Sequence, residues 1–332
     1  VTPHIDIAVA EQSQVGEARR AAVALADSLG LDETRIGRVA LVATELGNNL
    51  VRHAGRGRVL IGAGWSPGGA VIDVISVDQG PGMDVARCLN DGYSTGGTAG
   101  TGFGAVQRLS DTFSAYSAPQ RGSVVLSRIG SVPRPVPGAV HVGGVALAAP
   151  GESVSGDAWH ADVQPGGALG RVMVADGLGH GPEAARASDA AVAVMRGRPG
   201  ASPSGLLNQM HGALRGTRGA AVAMATLDGA ARTVTFAGAG NIGGRLLSAV
   251  EDRSLLSQNG TVGLQVRTLT DLVYPWPLHA CLVLHSDGLS ARWQLGADAA
   301  LLRCDPGVIA AWLWREHVRG RDDATVIVAR TH

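Results

Sequence analysis

Between residues 128 and 140 the chain reads RIGSVPRPVPGAV, with Pro133, Pro135 and Pro137 alternating with other residues. No helix interior and no central strand accepts that spacing, because each proline removes a backbone donor and fixes its own φ. The stretch is expected to run extended and semi-rigid. At 332 residues the chain exceeds one ordinary core. The prolines therefore mark a seam between two domains, expected at residues 1–130 and 140–332 with a connector over 131–139. An edge loop within one large domain is the alternative use of the same prolines.

Composition narrows the function classes. With 45% hydrophobic and 17% charged residues the chain is a folded, soluble one, and a formal net charge of zero gives no basic surface for nucleic acid or for a membrane. Every basic side chain apart from histidine is arginine, so a P-loop, which needs its lysine, is excluded. Cys88, Cys281 and Cys304 are few and far apart, which fits a reducing compartment. No apolar run reaches membrane-span length and the amino terminus lacks a basic leader, so the expected location is the cytoplasm.

Ahead of the seam the pattern is strand, helix, helix, two strands, a Gly-rich segment, helix and strand. HIDIAV alternates, VGEARRAAVALADSLG has helical periodicity ending at Gly30, and DETRIGRVALVATELGNNLVRHA is a long helix that Asp32 is placed to cap. RVLIGAGW and AVIDVISVD read as strands joined by the turn SPGG. After the seam come GRVMVADG, GAAVAMATLD, RTVTFAGAG, ACLVLHSDG and ATVIVAR as strands, with GPEAARASDAAVAVMRG and PSGLLNQMHGALRG as helices. The expected class is α+β in two layered domains.

On the long helix, Glu45 and Asn49 lie four residues apart and share a face. An amide oxygen there can hold Mg2+ while the acid orients or deprotonates a hydroxyl, although a solvated face is the commoner use of such a pair. Asp78 ends a strand in DQGPGM, where an acid can accept from an exocyclic amine such as adenine's and Gly80 and Gly82 let backbone approach a flat ligand. GYSTGGTAGTGFG then places Gly97, Gly100 and Gly102 just before a helix, the arrangement that turns backbone N–H groups toward phosphates.

Beyond the seam, four acidic positions stand at strand boundaries. Asp176 ends VMVADG and is followed by Gly177; Asp287 ends LVLHSDG; Asp157 follows a glycine in SGDAW; and Asp322 and Asp323 directly precede a strand in RDDATVIV. Any single Asp-Gly is more often a turn. Four such positions in one domain can converge on hard cations, with carboxylates, the Gly177 carbonyl and waters completing two Mg2+ or Mn2+ sites able to clamp a phosphoryl group. His180, at a helix start, is not counted among the ligands, and Trp276, Trp312 and Trp314 read as packing.

ELGNNLVRHAG, DQGPGM and DGYSTGGTAGTGFGAVQRLSDTF resemble the GHKL ATPase fold of RsbT-like, anti-sigma-factor-type serine/threonine kinases, over residues 5 to 128. The resemblance implies helices on one face of a mixed sheet, an ATP site with Asn49 as Mg2+ ligand, Glu45 as catalytic base and Asp78 on adenine, and a lid shaped by Gly80, Gly82, Gly97, Gly100 and Gly102. The phenylalanine of GTGFG departs from the smaller aliphatic residue usual there. GDAWHAD, VADGLGHG, HSDGLS and RDDATVIV resemble SpoIIE-type metal-dependent (PPM) protein phosphatases, in particular the compact RsbX-like branch. That resemblance implies an αββα sandwich, a metal set drawn from Asp157, Asp176, Gly177, Asp287, Asp322 and Asp323 with Asp322 favoured over Asp323, and phosphoserine or phosphothreonine as substrate. Together the resemblances imply a bifunctional regulator of a stress or sigma-factor partner switch, acting on STAS-domain antagonists or stressosome-type proteins, with a homodimer left open. The alternative is a phosphatase whose first domain is a non-catalytic, ATP-gated binding or sensor module.

Overall fold

The computed structural model describes residues 3–64, 69–89, 102–130, 138–164, 166–295 and 299–331, and the chain divides into two compact units, residues 4–134 and 135–332. Gly97 and Gly100, most of the expected connector and most of the SPGG turn lie outside the described residues.

The first unit runs β1 (Ile5–Val9), α1 (Gln12–Ser28), α2 (Glu33–Asn49), β2 (Gly57–Gly64), β3 (Val71–Asp78), α3 (Val85–Leu89), α4 (Gly102–Leu109), β4 (Thr112–Ala118) and β5 (Gly122–Gly130). Asp32 caps α2 as its position suggests, accepting from Arg35 N at 2.8 Å. The five strands lie in the order β1-β2-β3-β5-β4. Each neighbouring pair is antiparallel, where a mixed sheet is expected. The short β4–β5 connection requires this of its own pair, since parallel neighbours need a long crossover. The apolar stripes of the helices, Val15, Ala18 and Ala22 of α1 and Val39, Val42 and Leu46 of α2, bury against Ile7, Val59, Ile61, Ile72 and Val74 of the sheet.

The second unit continues with β6 (Val140–Leu147), β7 (Asp157–Val163), β8 (Leu169–Gly177), α5 (Pro182–Arg196), α6 (Pro203–Ala213), β9 (Ala220–Asp228), β10 (Thr233–Ala239), β11 (Gly243–Leu247), β12 (Asp252–Ser254), β13 (Gly260–Thr261), β14 (Gln265–Val266), β15 (Leu272–Pro275), β16 (Cys281–His285), α7 (Pro306–His317) and β17 (Ala324–Thr331). Two five-stranded sheets form, β15-β10-β9-β8-β7 and β12-β11-β16-β17-β6. Trp159, Val172, Val174, Ala223, Phe236, Leu282, Leu284 and Ile327 fill the space between them. Met173, Val222 and Met224, on the opposite face of β8 and β9, pack against Ala191, Met195, Leu207 and Met210 of α5 and α6. Helix α7 covers β6 and β17. The result is the expected αββα sandwich, whose inner faces alternate with helix-covered faces along each strand. Among the described residues no helix is long and apolar enough to cross a membrane.

Candidate functional site

Strand register decides how the acids of the second unit meet. Asp157 opens β7, Asp176 nearly closes β8, and the antiparallel pairing sets them directly opposite one another. Residues so paired share a face, with β-carbons about 4.5–5.5 Å apart, and like charges there repel. Asp287 follows β16 and Asp322 and Asp323 precede β17, two strands that pair with each other. Burial pushes the Asp176 carboxyl up to about 8, and the charges of Asp157, Asp287, Asp322 and Asp323 push in the same direction. Burial likewise drives Asp157 up to about 7; the Ser286 and Thr325 hydroxyls beside it only partly oppose the shift, and Asp323 and Asp287 add to it. All five sequence-predicted acids therefore surround one locality.

The glycines after two of these acids have a packing reason. A β-carbon at Gly177 would collide with Ala184 O of α5, and one at Gly288 with Asp323 O. The end of β8 can thus be pressed against α5, and the turn after Asp287 against the backbone of Asp323. The acids differ in what they already hold. Asp323, only 3% exposed, accepts from Ala149 N and Gly156 N, both at 2.8 Å, which ties the loop preceding Asp157 to the start of β17. Exposed Asp322 accepts from Asp323 N at 2.9 Å, and Asp287 Oδ2 from Asn241 Nδ2 at 2.7 Å. By contrast, Asp157 Oδ2 is buried with no hydrogen-bond partner, and the neighbouring Thr325 hydroxyl makes no bond of adequate geometry. Asn241, Ser286 and Thr325 were not among the expected site residues; only the polar Asn241 set among glycines in GAGNIGG hinted at one of them.

An orphaned buried carboxylate oxygen amid crowded acids is costly unless a cation completes it. The all-oxygen donor set suits Mg2+ or Mn2+ rather than a soft metal. Among the described residues no three acidic, histidine or cysteine side chains close on one point tightly enough to enclose an ion alone. His180 stands outside the cluster, its Nδ1 2.8 Å from Glu152 Oε1. Trp276 donates to Ala280 O at 3.0 Å inside the core, as a packing residue would.

In the first unit, Glu45 and Asn49 lie half-buried on the last turns of α2. The helix runs on into a π-helical turn, Leu50–Ala54, a local widening common beside functional groups. Asn49 Nδ2 is buried without a partner. The tip of β3 comes to the same end of the helix: a β-carbon on Gly80 would stand 3.0 Å from Ala54 Cα, and Gly80 N donates to Asp78 Oδ1 at 2.8 Å. Met83 N to Ser117 Oγ at 2.7 Å and Gln120 N to Pro81 O at 2.9 Å pin the segment through Gly82 against the β4–β5 hairpin. Gly102 begins α4. Glu45, Asn49, Asp78, Gly80 and Gly82 thus belong to two neighbouring elements, a helix end and a strand tip.

The family model described as Stage II sporulation protein E (SpoIIE) matches residues 167–332. The chain belongs to the SpoIIE family. Its second unit is a PP2C-type serine/threonine phosphatase domain. In this SpoIIE-family chain the model described as histidine kinase-like ATPase domain matches residues 8–128. The serine/threonine-protein kinase RsbT of Bacillus subtilis (strain 168) is 33% identical over 102 residues, 30% of this chain and 77% of the relative. The first unit is accordingly an RsbT homologue. A solved structure described as the bacterial stressosome, a modular system adapted to control secondary messenger signaling, superposes with TM-score 0.53 at 31% identity, covering 57% of this chain and 99% of that one. RsbX in complex with magnesium superposes with TM-score 0.51 at 20% identity over 58% of this chain and 96% of that one, a likeness of fold.

Proposed function

We propose that the second unit removes phosphate from phosphoserine or phosphothreonine with the help of two divalent cations, held by Asp157, Asp176, the Gly177 carbonyl, Asp287 and Asp322. The observation that carries the reading is the cross-strand pair Asp157 and Asp176, two carboxylates facing each other with one oxygen orphaned. Cations bound there would supply Lewis-acid activation of water and neutralise charge on the phosphoryl group. The chain's own contribution is positional. Asn241 orients Asp287, and Asp323 uses its oxygens to hold both ends of the β6–β7 loop rather than to ligate.

The first unit we propose to be an ATP-dependent serine/threonine kinase, with Asn49 toward Mg2+, Glu45 as base, Asp78 on adenine and the glycines through Gly102 on the phosphates. The likeness to RsbT supports this reading, as does the approach of the turn after Asp78 to the helix end at Ala54. Small STAS-domain regulators, met by both units, fit a chain whose relatives include a kinase and a stressosome protein. Opposing activities on one chain raise each other's effective concentration at a shared partner. The reading is tested by incubating the protein with a STAS-domain protein, ATP and Mg2+, then with Mn2+ after ATP removal. Phosphorylation followed by metal-dependent loss of the mark is expected; hydrolysis that survives a chelator would overturn the phosphatase assignment.

A further inference from the structure

The turn after Asp176 is flanked by a segment that the metal site does not use. Leu178 N donates to Gly219 O at 3.0 Å, and Gly219 N donates to Thr217 Oγ1 at 3.0 Å. These bonds fix Thr217 to Gly219 against the turn. From the middle of that segment Arg218 reaches over Gly179, its Nη1 2.9 Å from where a β-carbon on the glycine would stand. The guanidinium is thereby placed three residues beyond Asp176.

Arg218 is exposed and, among the described residues, has no hydrogen-bond or ion-pair partner. Some arginines of this unit are held by acids, Arg171 by Asp162 at 2.7 Å, Arg186 by Glu183 at 3.1 Å and Arg245 by Asp252, and Arg218 is not among them. His180, the other side chain of the turn able to carry positive charge, faces Glu152. Arg218 thus stands unpaired over the turn that follows Asp176. A phosphomonoester brings two negative charges, and a chain without lysine can offer it only arginine as a strong side-chain cation. The planar guanidinium fork suits two phosphoryl oxygens at once.

We propose that Arg218 is a substrate-binding residue of the second unit, donating to the phosphoryl oxygens of a phosphomonoester seated beside Asp176. This rests on the phosphatase reading for its substrate, but its geometry does not depend on the identity of the metal ligands. Arg218 sits on the surface with no packing role, so replacing it leaves the fold in place.

The test uses the full chain loaded with Mg2+ and titrates inorganic phosphate by calorimetry into wild type, Arg218→Ala and Arg218→Lys, alongside KM for an aryl phosphate. Phosphate affinity is expected to fall roughly ten- to a hundredfold in Arg218→Ala, the worth of one charge-assisted hydrogen bond. Arg218→Lys should recover part of it, KM should rise in step, and Mg2+ affinity should stay unchanged. Equal phosphate affinity in all three proteins, no phosphate binding by wild type, or loss of Mg2+ together with phosphate would each overturn the proposal. If wild type binds phosphate through Arg218 yet hydrolyses no aryl phosphate, the phosphatase reading fails and the anion site stands.

Discussion

Glu45 and Asn49 lie one turn apart on a single helix, whereas Asp157 and Asp176 meet only because two strands separated by a reversal of the chain pair in a particular register. The first arrangement is local and any amphipathic helix can present it at little cost. The second sets like charges face to face in a buried place, which a folded chain tolerates only when a ligand relieves it. The helical pair is therefore common and weakly informative, and the strand pair is costly and specific. The two sites should respond to substitution in opposite ways: removing the helical groups should cost function alone, while removing a strand-end acid should cost function and relieve the fold.

The largest effect is expected at the strand-end acids. Asp176→Asn and Asp287→Asn should each reduce metal-dependent hydrolysis of an aryl phosphate well beyond the roughly 10–100-fold typical of partners in the outer sphere. Steady-state rates across a Mn2+ titration check this; near-normal rates would return VADG to an ordinary strand and turn. Next in size is Asn49→Ala, which should abolish Mg2+-dependent ATP binding by calorimetry and leave the aryl phosphatase rate intact. Equal loss of both would mean the sites are not independent.

Asp323→Ala should behave unlike either. It leaves the Ala149 and Gly156 amides without their acceptor, at about 1–3 kcal/mol for each unpaired buried donor. Its melting temperature should fall even without metal, which separates a clamp from a ligand.

A smaller effect concerns pH. Asp157 and Asp176 are raised to about 7 and about 8, so in the metal-free protein the folded state keeps protons that the unfolded chain has lost above about 4. Stability must then decline as pH rises between those limits and level off above them. Denaturant melts in chelator from pH 5 to 9 should show the decline, and saturating Mn2+ should flatten it.

Much of this was legible in the sequence, for a physical reason. Local signals survived: the Asp32 cap, the α1 and α2 stripes, and the acids that end apolar strands. Helix α7 left no such trace, because ten of the twelve residues in PGVIAAWLWREH are buried and a helix apolar all round has no period to read. The direct opposition of Asp157 and Asp176 is a matter of register, which spacing along the chain does not encode. Ser286, Thr325 and Asn241 entered the site for the same reason, as neighbours created by pairing and packing. Asp323 illustrates the limit most clearly: adjacent to Asp322 and chemically identical, it differs in being buried and in the two backbone amides it meets in the fold.

The most direct measurement of the central claim is the thermal stability of wild type and Asp176→Asn at pH 8, each with chelator and with Mn2+. If Asp157 and Asp176 are held against their repulsion in order to bind cations, the metal-free Asp176→Asn protein should melt at or above the wild-type temperature. Mn2+ should then raise the wild-type value by several degrees and the variant's hardly at all. A metal-free variant that melts well below wild type, together with a wild type indifferent to Mn2+, would show the acids to be part of the fold's own support and would contradict the account.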